Sequence, residues 1–464
     1  MTTTSGKTRQ GISAELGPDG YPAKRRGLSR RQFLKRSGAA LGLVATVPYI
    51  VPSSALGKNG SVPPSERIVM GGIGLGGQGT RDMRNFMTCA DVQFVAVCDV
   101  DTERRNQAKA VVDQDYGSRD CAAYSDFREL LARDDIDAVL SATGDRWHAL
   151  TSIYAAKAGK DIYCEKPMSL TIAEGRVVAD VTKRYGTVYQ CGTQRRSMRS
   201  FAFAVNAARG GKLGKLHTLH SYVRAGQSSG VLSPEPVPEG FDYEMWLGPT
   251  PHIPYNSSFV RGLWKNHYDY SGGMVTDWGC HCNDLAQMAN NSDLTAPLDY
   301  AGSAEFPKQG FCNVPVALHV EARYADGVRL IMYDTKTPDI WPNMNTQLSV
   351  KFEGTEGWVY VDDGGNVDAK PKSLLENRKF EKQQWTDAAN WQGHHRNFLN
   401  CVKTRAQTIA SAEVAHRSTT ICHVANICLR LGRDVSWNPQ TERFVNDPDA
   451  DKMISRPMRR PWRL

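Results

Sequence analysis

From residue 66 onward, short apolar runs alternate with longer amphipathic stretches. IVMGGI (68–73), VQFVAVCDV (92–100), IDAVLSAT (136–143), DIYC (161–164) and TVYQCGT (187–193) are compact and rich in β-branched residues. Unbroken apolarity of that length suits strands buried on both faces, as in a parallel sheet. Between them, TERRNQAKAVVDQDYG, HALTSIYAAKAGK and TIAEGRVVADVTKRYG carry helical spacing. Strand–helix alternation predicts an α/β domain with a doubly wound parallel sheet. After about residue 215 the period shortens to two. LHTLHSYVR, VALHVEARYADGVRLIMYDT and QLSVKFEGTEGWVYVDD alternate apolar with polar and are joined by turn residues such as Ala-Asp-Gly. Those are antiparallel hairpin signals. Residues 391–432 read as largely helical, and 438–464 as an irregular surface arm.

Composition changes the picture at the N-terminus. The chain has 464 residues and a net charge of +8. Residues 1–55 hold nine Lys/Arg against Glu15 and Asp19, so seven of those eight charges sit in the leader. The remaining chain is near neutral and lacks the basic excess that nucleic-acid binding requires. Within the leader, SRRQFLK (29–35) precedes the apolar run GAALGLVATVPYIVP and a small-residue stretch ending at Ala55. This predicts a signal peptide over 1–55 with a twin-arginine pattern, hence export of a folded protein to the periplasm. The apolar run is short for a stable membrane span, and an uncleaved leader would act as an anchor instead. KNGSVPPSE then marks a linker over 56–65. None of the eleven cysteines forms a C-x-x-C pair, and several lie inside apolar runs, as small buried residues do.

Chemistry enters at three places. Gly74-Leu-Gly76-Gly77-Gln-Gly79 is a G-x-G-x-x-G that follows a strand, opens a helix and precedes Asp99 at the end of the next strand. That context makes it a dinucleotide fingerprint. Gly74 turns the chain, Gly76 lets backbone approach a pyrophosphate, and Gly79 lets the helix pack closely on the strand. Asp99 would accept the adenosine ribose hydroxyls, favouring NAD over NADP because a 2′-phosphate would meet a carboxylate. Glu165-Lys166-Pro167 follows a strand at the carboxyl edge of the sheet, where ligands of such folds bind. In SGGMVTDWGCHCNDLAQM (271–288), helical geometry aligns Asp277, His281 and Asp284 on one stripe and sends Cys280 and Cys282 to opposite flanks. Proton chemistry is favoured over a metal site, which would also want spaced ligand pairs.

The order of these motifs resembles the glucose-fructose oxidoreductase/inositol dehydrogenase/MocA (Gfo/Idh/MocA) family over about residues 66–435, and the C-terminal stretch resembles its exported bacterial branch. The resemblance implies an NAD-binding Rossmann domain (66–190) and a C-terminal α/β domain (191–437) with an open, mainly antiparallel sheet that serves substrate binding and oligomerisation, followed by a tail (438–464). It implies a nicotinamide cofactor between the domains, sugar, cyclitol or related polyol substrates, and a homo-oligomer. Lys166, Asp277 and His281 are implied as catalytic lysine, substrate-binding acid and general acid/base. Gly74, Gly76, Gly77, Gly79, Asp99, Thr143, His148 and Glu165 are implied at the cofactor, and no metal is. The family usually has Pro-Asn or Pro-Asp after the threonine, whereas this chain has Gly144-Asp145.

An exported dehydrogenase has no ready partner to reoxidise NADH, so NAD is expected to stay bound and be regenerated in each cycle. A related branch cleaves glycosides by transient oxidation, elimination and re-reduction. That branch reads Thr-His-Gly-x-Gly-Pro where this chain has Thr276-Asp277-Trp278-Gly279-Cys280-His281, which favours a dehydrogenase. A non-catalytic sugar-binding protein is a third reading, and the intact Lys166–Asp277–His281 set argues against it.

Overall fold

The computed structural model describes residues 62–334, 348–376 and 388–464. The leader, its expected cleavage point and most of the linker fall on residues 1–61, outside the described residues. Among the described residues no helix is long and apolar enough to cross a membrane.

The first domain runs β1 (Ile68–Ile73), α1 (Gly77–Met87), β2 (Val92–Cys98), α2 (Thr102–Tyr116), β3 (Ala122–Tyr124), α3 (Phe127–Leu131), β4 (Ala138–Ser141), α4 (Asp145–Lys157), β5 (Asp161–Cys164), α5 (Ile172–Tyr185) and β6 (Tyr189–Cys191). Its six strands lie in the order β3-β2-β1-β4-β5-β6, every pair parallel. β4 and β5 are buried at every position, which is why they read as continuous apolar runs. Helix ends are marked chemically. Asp101 and Thr171 cap the starts of α2 and α5, while Gly117 and Gly186 close them in the left-handed region. The strand order reverses between β1 and β4, so a crevice opens at their carboxyl ends. Gly74, Asp99, Thr143 and Lys166 all follow strands that end there.

The second domain runs α6 (Arg199–Arg209), β7 (Leu216–Val223), α7 (Tyr243–Leu247), α8 (Ser257–Arg261), α9 (Met274–Asp277), α10 (Gly279–Ala289), β8 (Asp299–Glu305), β9 (Ala317–Arg323), β10 (Arg329–Asp334), β11 (Leu348–Gly354), β12 (Gly357–Asp362), β13 (Val367–Lys370), α11 (Ala388–Thr404), α12 (Ala412–Leu431), β14 (Val435–Asn438), β15 (Arg443–Phe444) and α13 (Pro448–Asp451). Its nine-stranded sheet has the order β13-β12-β11-β7-β10-β9-β8-β14-β15. All neighbours are antiparallel except β7 and β10, which pair in parallel. In β9, Leu318, Val320 and Ala322 are buried while His319 and Arg323 are exposed, the alternation that the sequence shows. The buried face joins Leu330, Phe352 and Val359 to Leu285 of α10 and Ile421 of α12 in one apolar core.

One expectation changes. The tail beyond residue 437 is not an irregular arm: Asn438 ends β14, the tail adds β15 and α13, and Phe444 and Ile454 are buried. Trp462 meets Trp147 of the first domain edge-on at 4.7 Å. Packing also crosses the expected boundary near 190. Phe398 and Leu399 of α11 join Phe86 and Phe94 in the core of the first domain. The chain therefore crosses back, and the two domains share packing.

Candidate functional site

A cleft of about 470 Å³ lies at the carboxyl edge of the parallel sheet, lined by residues of both domains. That size suits a cofactor or a drug-sized ligand. Every residue assigned from the sequence to cofactor or catalysis lines it, except Gly79, which packs behind the turn.

At one end is the glycine corner. Gly74 has φ +79°, and a Cβ there would meet the Thr143 nitrogen at 2.7 Å. A Cβ on Gly79 would lie 2.1 Å from the Gly74 carbonyl oxygen. These two glycines are thus required by backbone packing. Gly77 differs, because a Cβ there meets nothing within 4 Å, and one on Gly76 meets only Arg104 at 3.4 Å. They border open space at the start of α1, an eleven-residue helix with no side-chain cap. Free backbone N–H groups and the helix dipole suit a pyrophosphate at that point. Asp99 accepts N–H bonds from Leu75 (2.7 Å) and Asp101 (2.9 Å), which aim its carboxylate at the corner while leaving acceptor capacity. The residues present therefore fit a dinucleotide.

Also lining the cleft, His148 braces two loops. Its Nδ1 lies 2.6 Å from the Pro167 carbonyl oxygen and its Nε2 3.1 Å from that of Thr143. Burial pulls its pKa down to about 4, so the ring is neutral and donates one proton, best placed on the shorter contact. Glu165 is buried, accepts from Gln194 at 2.6 Å, and sits against Gly192, where a Cβ would come within 2.4 Å of it. Burial, with the Asp82 charge nearby, pushes its pKa up to about 8.

Opposite lies the charged cluster. Lys166 Nζ is 2.5 Å from Asp277 Oδ1 and 2.7 Å from its main-chain oxygen. Lys265 Nζ takes the other carboxylate oxygen at 3.0 Å. Burial alone would raise the Asp277 pKa, but the two ammonium groups reverse this and hold it far below the usual carboxylate range. Burial would likewise discharge Lys166, yet the Asp277 carboxylate keeps it charged, its pKa above the ordinary lysine value. His281 Nε2 accepts from Arg195 Nη1 at 2.9 Å, and Arg195 is itself clasped by Asp363 at 2.6 and 3.1 Å. An arginine can only donate, so the neutral ring carries its proton on Nδ1, which is buried without a partner. Burial first, then the Arg195 and Lys166 charges, hold the His281 pKa well below neutrality.

The single helical stripe predicted for Asp277, His281 and Asp284 is broken. α9 ends at Asp277 and α10 begins at Gly279, with the His281 and Cys282 amides both bonded to the Trp278 carbonyl. Asp277 and His281 face the cleft, but Asp284 turns away to Arg196 at 2.5 and 2.7 Å and to Ser418. The flanking cysteines diverge: Cys280 Sγ lies 3.8 Å from Cys422 Sγ, and Cys282 Sγ contacts the Tyr222 and Ser349 carbonyls. All eleven cysteines are free thiols. Sequence reasoning missed Lys265, Arg195, Arg146 and the indoles of Trp246, Trp264 and Trp278, all of which line the cleft. The Arg195-Arg196 pair just after a predicted strand was the one local hint.

Comparison with known proteins agrees with this architecture. Residues 67–193 match the GFO/IDH/MocA model described as an oxidoreductase family, NAD-binding Rossmann fold. Residues 220–464 match the model of that family's C-terminal alpha/beta domain. Myo-inositol 2-dehydrogenase of Thermotoga maritima is 31% identical over 174 residues, covering 38% of this chain and 47% of that protein. A glycosyl hydrolase family 109 protein of Shewanella baltica is 32% identical over 178 residues, covering 34% of this chain and 37% of that protein. The chain thus spans less than half the length of these curated relatives. Among solved structures, GenD2 from gentamicin A biosynthesis in complex with NAD superposes with TM-score 0.60 at 19% identity, covering 86% of this chain and all of that one. An aldose-aldose oxidoreductase from Caulobacter crescentus complexed with glycerol gives 0.60 at 18% identity, covering 80% and 99%. With one model covering more than half of the chain and a second covering the sheet that carries the glycine corner, this protein belongs to the GFO/IDH/MocA oxidoreductase family.

Proposed function

We propose that this protein transfers hydride between a hydroxyl-bearing carbon of a sugar, cyclitol or related polyol and an NAD that stays bound through the cycle. The observation that carries the reading is the Lys166–Asp277 ion pair beside His281, in the same cleft as the glycine corner. When bound, NAD supplies the hydride acceptor. The chain's residues do the rest. Gly76, Gly77 and the start of α1 hold the pyrophosphate, and Asp99 holds the adenosine ribose. Lys166, kept charged by Asp277, donates to the substrate hydroxyl and steadies the alkoxide that develops there. His281 takes the hydroxyl proton at Nε2 once the substrate displaces Arg195 from that atom. A neutral histidine is the required form for a base, and its surroundings enforce it.

Purifying the protein without added cofactor and denaturing it should release nicotinamide. Sugars added to the native protein should then change the nicotinamide absorbance in a single turnover. An empty protein that works only with added NAD sinks retention, and absence of any absorbance change across sugars, cyclitols and polyols sinks the hydride-transfer reading. Retention fits the twin-arginine leader, which we take as an export signal to the periplasm.

The glycosyl hydrolase family 109 relatives support a second reading, glycoside cleavage with no net change in NAD. Against it stands Asp277, which occupies the position of that branch's histidine and is locked to Lys166. Release of free sugar from glycosides with unchanged NAD would favour this second reading.

A further inference from the structure

On the substrate side of the cleft, more positive charge converges than the local carboxylates absorb. Arg146, at the start of α4, is 2% exposed. Its Nε donates to the Trp246 carbonyl at 2.9 Å, and its guanidinium carbon lies 3.8 Å from the centre of the Trp246 ring and 5.3 Å from that of Trp264. Its Nη1 is buried and has no hydrogen-bond partner. Leaving a buried charged donor unpaired is costly, and native structures rarely do so unless a ligand, ion or water completes the bond. The neighbouring carboxylates do not complete it. Asp145 accepts from Ser271 at 2.6 Å, and Asp277 is already shared by two lysines.

The departure from the family pattern noted in the sequence is tied to this arginine. A Cβ at Gly144 would lie 2.4 Å from Arg146 Nη1, so the proline usual at that position would collide with the guanidinium. Gly144 makes the room that Arg146 occupies. Also lining the cleft, Arg261 is exposed at the end of α8, and Lys265 is 40% exposed with one donor on Asp277. Trp264, between them in the sequence, lines the cleft with an indole of the kind that a sugar face covers. Arginine forks match carboxylate and phosphate oxygens equally.

We infer that Arg146, Arg261 and Lys265 form an anion subsite, so that the substrate is a sugar carrying an anionic oxygen group, a carboxylate or a phosphate. This rests on the proposed hydride transfer for the site but not on turnover for its test. The cofactor's own pyrophosphate is the rival anion. It is served at the glycine corner, where Arg104 stands, whereas Arg146 and Lys265 lie over the Trp264 ring and Lys265 bonds Asp277.

The test uses the purified holoprotein and the fluorescence of the cleft tryptophans. Matched probes are glucose, glucuronate and glucose 6-phosphate, with the galactose and mannose series alongside. In at least one series an anionic member should bind about tenfold or more tighter than the neutral sugar, as one charged hydrogen-bond pair provides. Uronate against phosphate tells which group fits. The Arg261→Ala substitution lies on the surface and should reduce that anionic-to-neutral ratio severalfold, as should Arg146→Lys if it folds. Equal binding of neutral and anionic members in every series, or no binding of any anionic member at millimolar concentration, overturns the inference. So does an Arg146→Lys protein that loses NAD while its ratio is unchanged, because the arginine then serves the pyrophosphate. A protein that prefers anionic sugars yet never changes nicotinamide absorbance would leave the subsite standing and remove the hydride transfer.

Discussion

Asp277 and Asp284 stand four residues before and three residues after His281, and each is held in an ion pair. Asp277 meets Lys166 and Lys265, while Asp284 meets Arg196, which also bonds Asp293. The two arginines that follow β6 divide in the same way: Arg195 faces His281 and Asp363, and Arg196 faces Asp284. The difference lies in what else reaches the pair. Asp277 and its lysines line the cleft, and Lys265 keeps 40% of its side chain exposed. Arg196 and Asp284 are 2% and 1% exposed, with Ser418 as a further donor to the carboxylate. One ion pair can exchange partners with a substrate, and the other fastens α10 to the turn after β6. Similar charges at similar spacing thus stand open to a ligand or hold the fold according to access.

Substitutions should separate the two roles. Lys166→Met should lower kcat/KM by about 10³-fold, as loss of a charge that acts on the reacting hydroxyl does. Folding should suffer little, since Asp277 keeps Lys265. Asp284→Ala should do the reverse, costing about 3–5 kcal/mol in denaturant unfolding because Arg196 is left buried and underpaired. Its folded fraction should turn over within about twofold of the parent rate, read per mole of bound NAD. If Asp284→Ala instead abolished turnover in a protein of parental stability, the division of roles would be wrong.

A third prediction concerns pH. Glu165 has a folded pKa near 8, above the ordinary carboxylate value, because burial disfavours its charge. The folded protein then holds a proton that the unfolded chain releases near 4.5, so stability should fall as pH rises between those values. Glu165→Gln removes that slope. Its unfolding free energy should gain on the parent by roughly 2 kcal/mol or more between pH 5 and pH 8, measured in parallel denaturant series. Parallel curves across that range would show that Glu165 is ionised in the fold. The smallest effect is expected for Lys265→Met. Lys166 still neutralises Asp277, so kcat/KM on a neutral sugar should fall by only about tenfold.

Much of the nucleotide half was legible because its logic is local. A tight turn, a close helix and a carboxylate at the next strand end occupy fixed offsets along the chain, and Gly74, Gly79 and Asp99 fill them. Lys166, Asp277 and His281 were legible by motif order, but their atomic arrangement was not. The expected continuous stripe fails at Trp278, where the chain starts a new helix and redirects Asp277 toward a lysine 111 residues away. Arg146, Arg195 and Lys265 were invisible because a lysine or arginine in a buried site has the same sequence signature as one in water. The strands β8, β13, β14 and β15 were missed because they are short or only partly buried, so the period-two signal fades.

The sequence by itself determined the two layered domains, the turn that suits a dinucleotide, and the residue types needed for proton and hydride chemistry. These follow from backbone sterics and periodic burial, which act over a few residues. Only the tertiary structure decided which of two aspartates and which of two adjacent arginines would face the cleft. It also placed a neutral histidine under an arginine and left Arg146 with an unspent donor. Those choices depend on packing and desolvation between segments far apart in the chain, where short-range spacing carries no information.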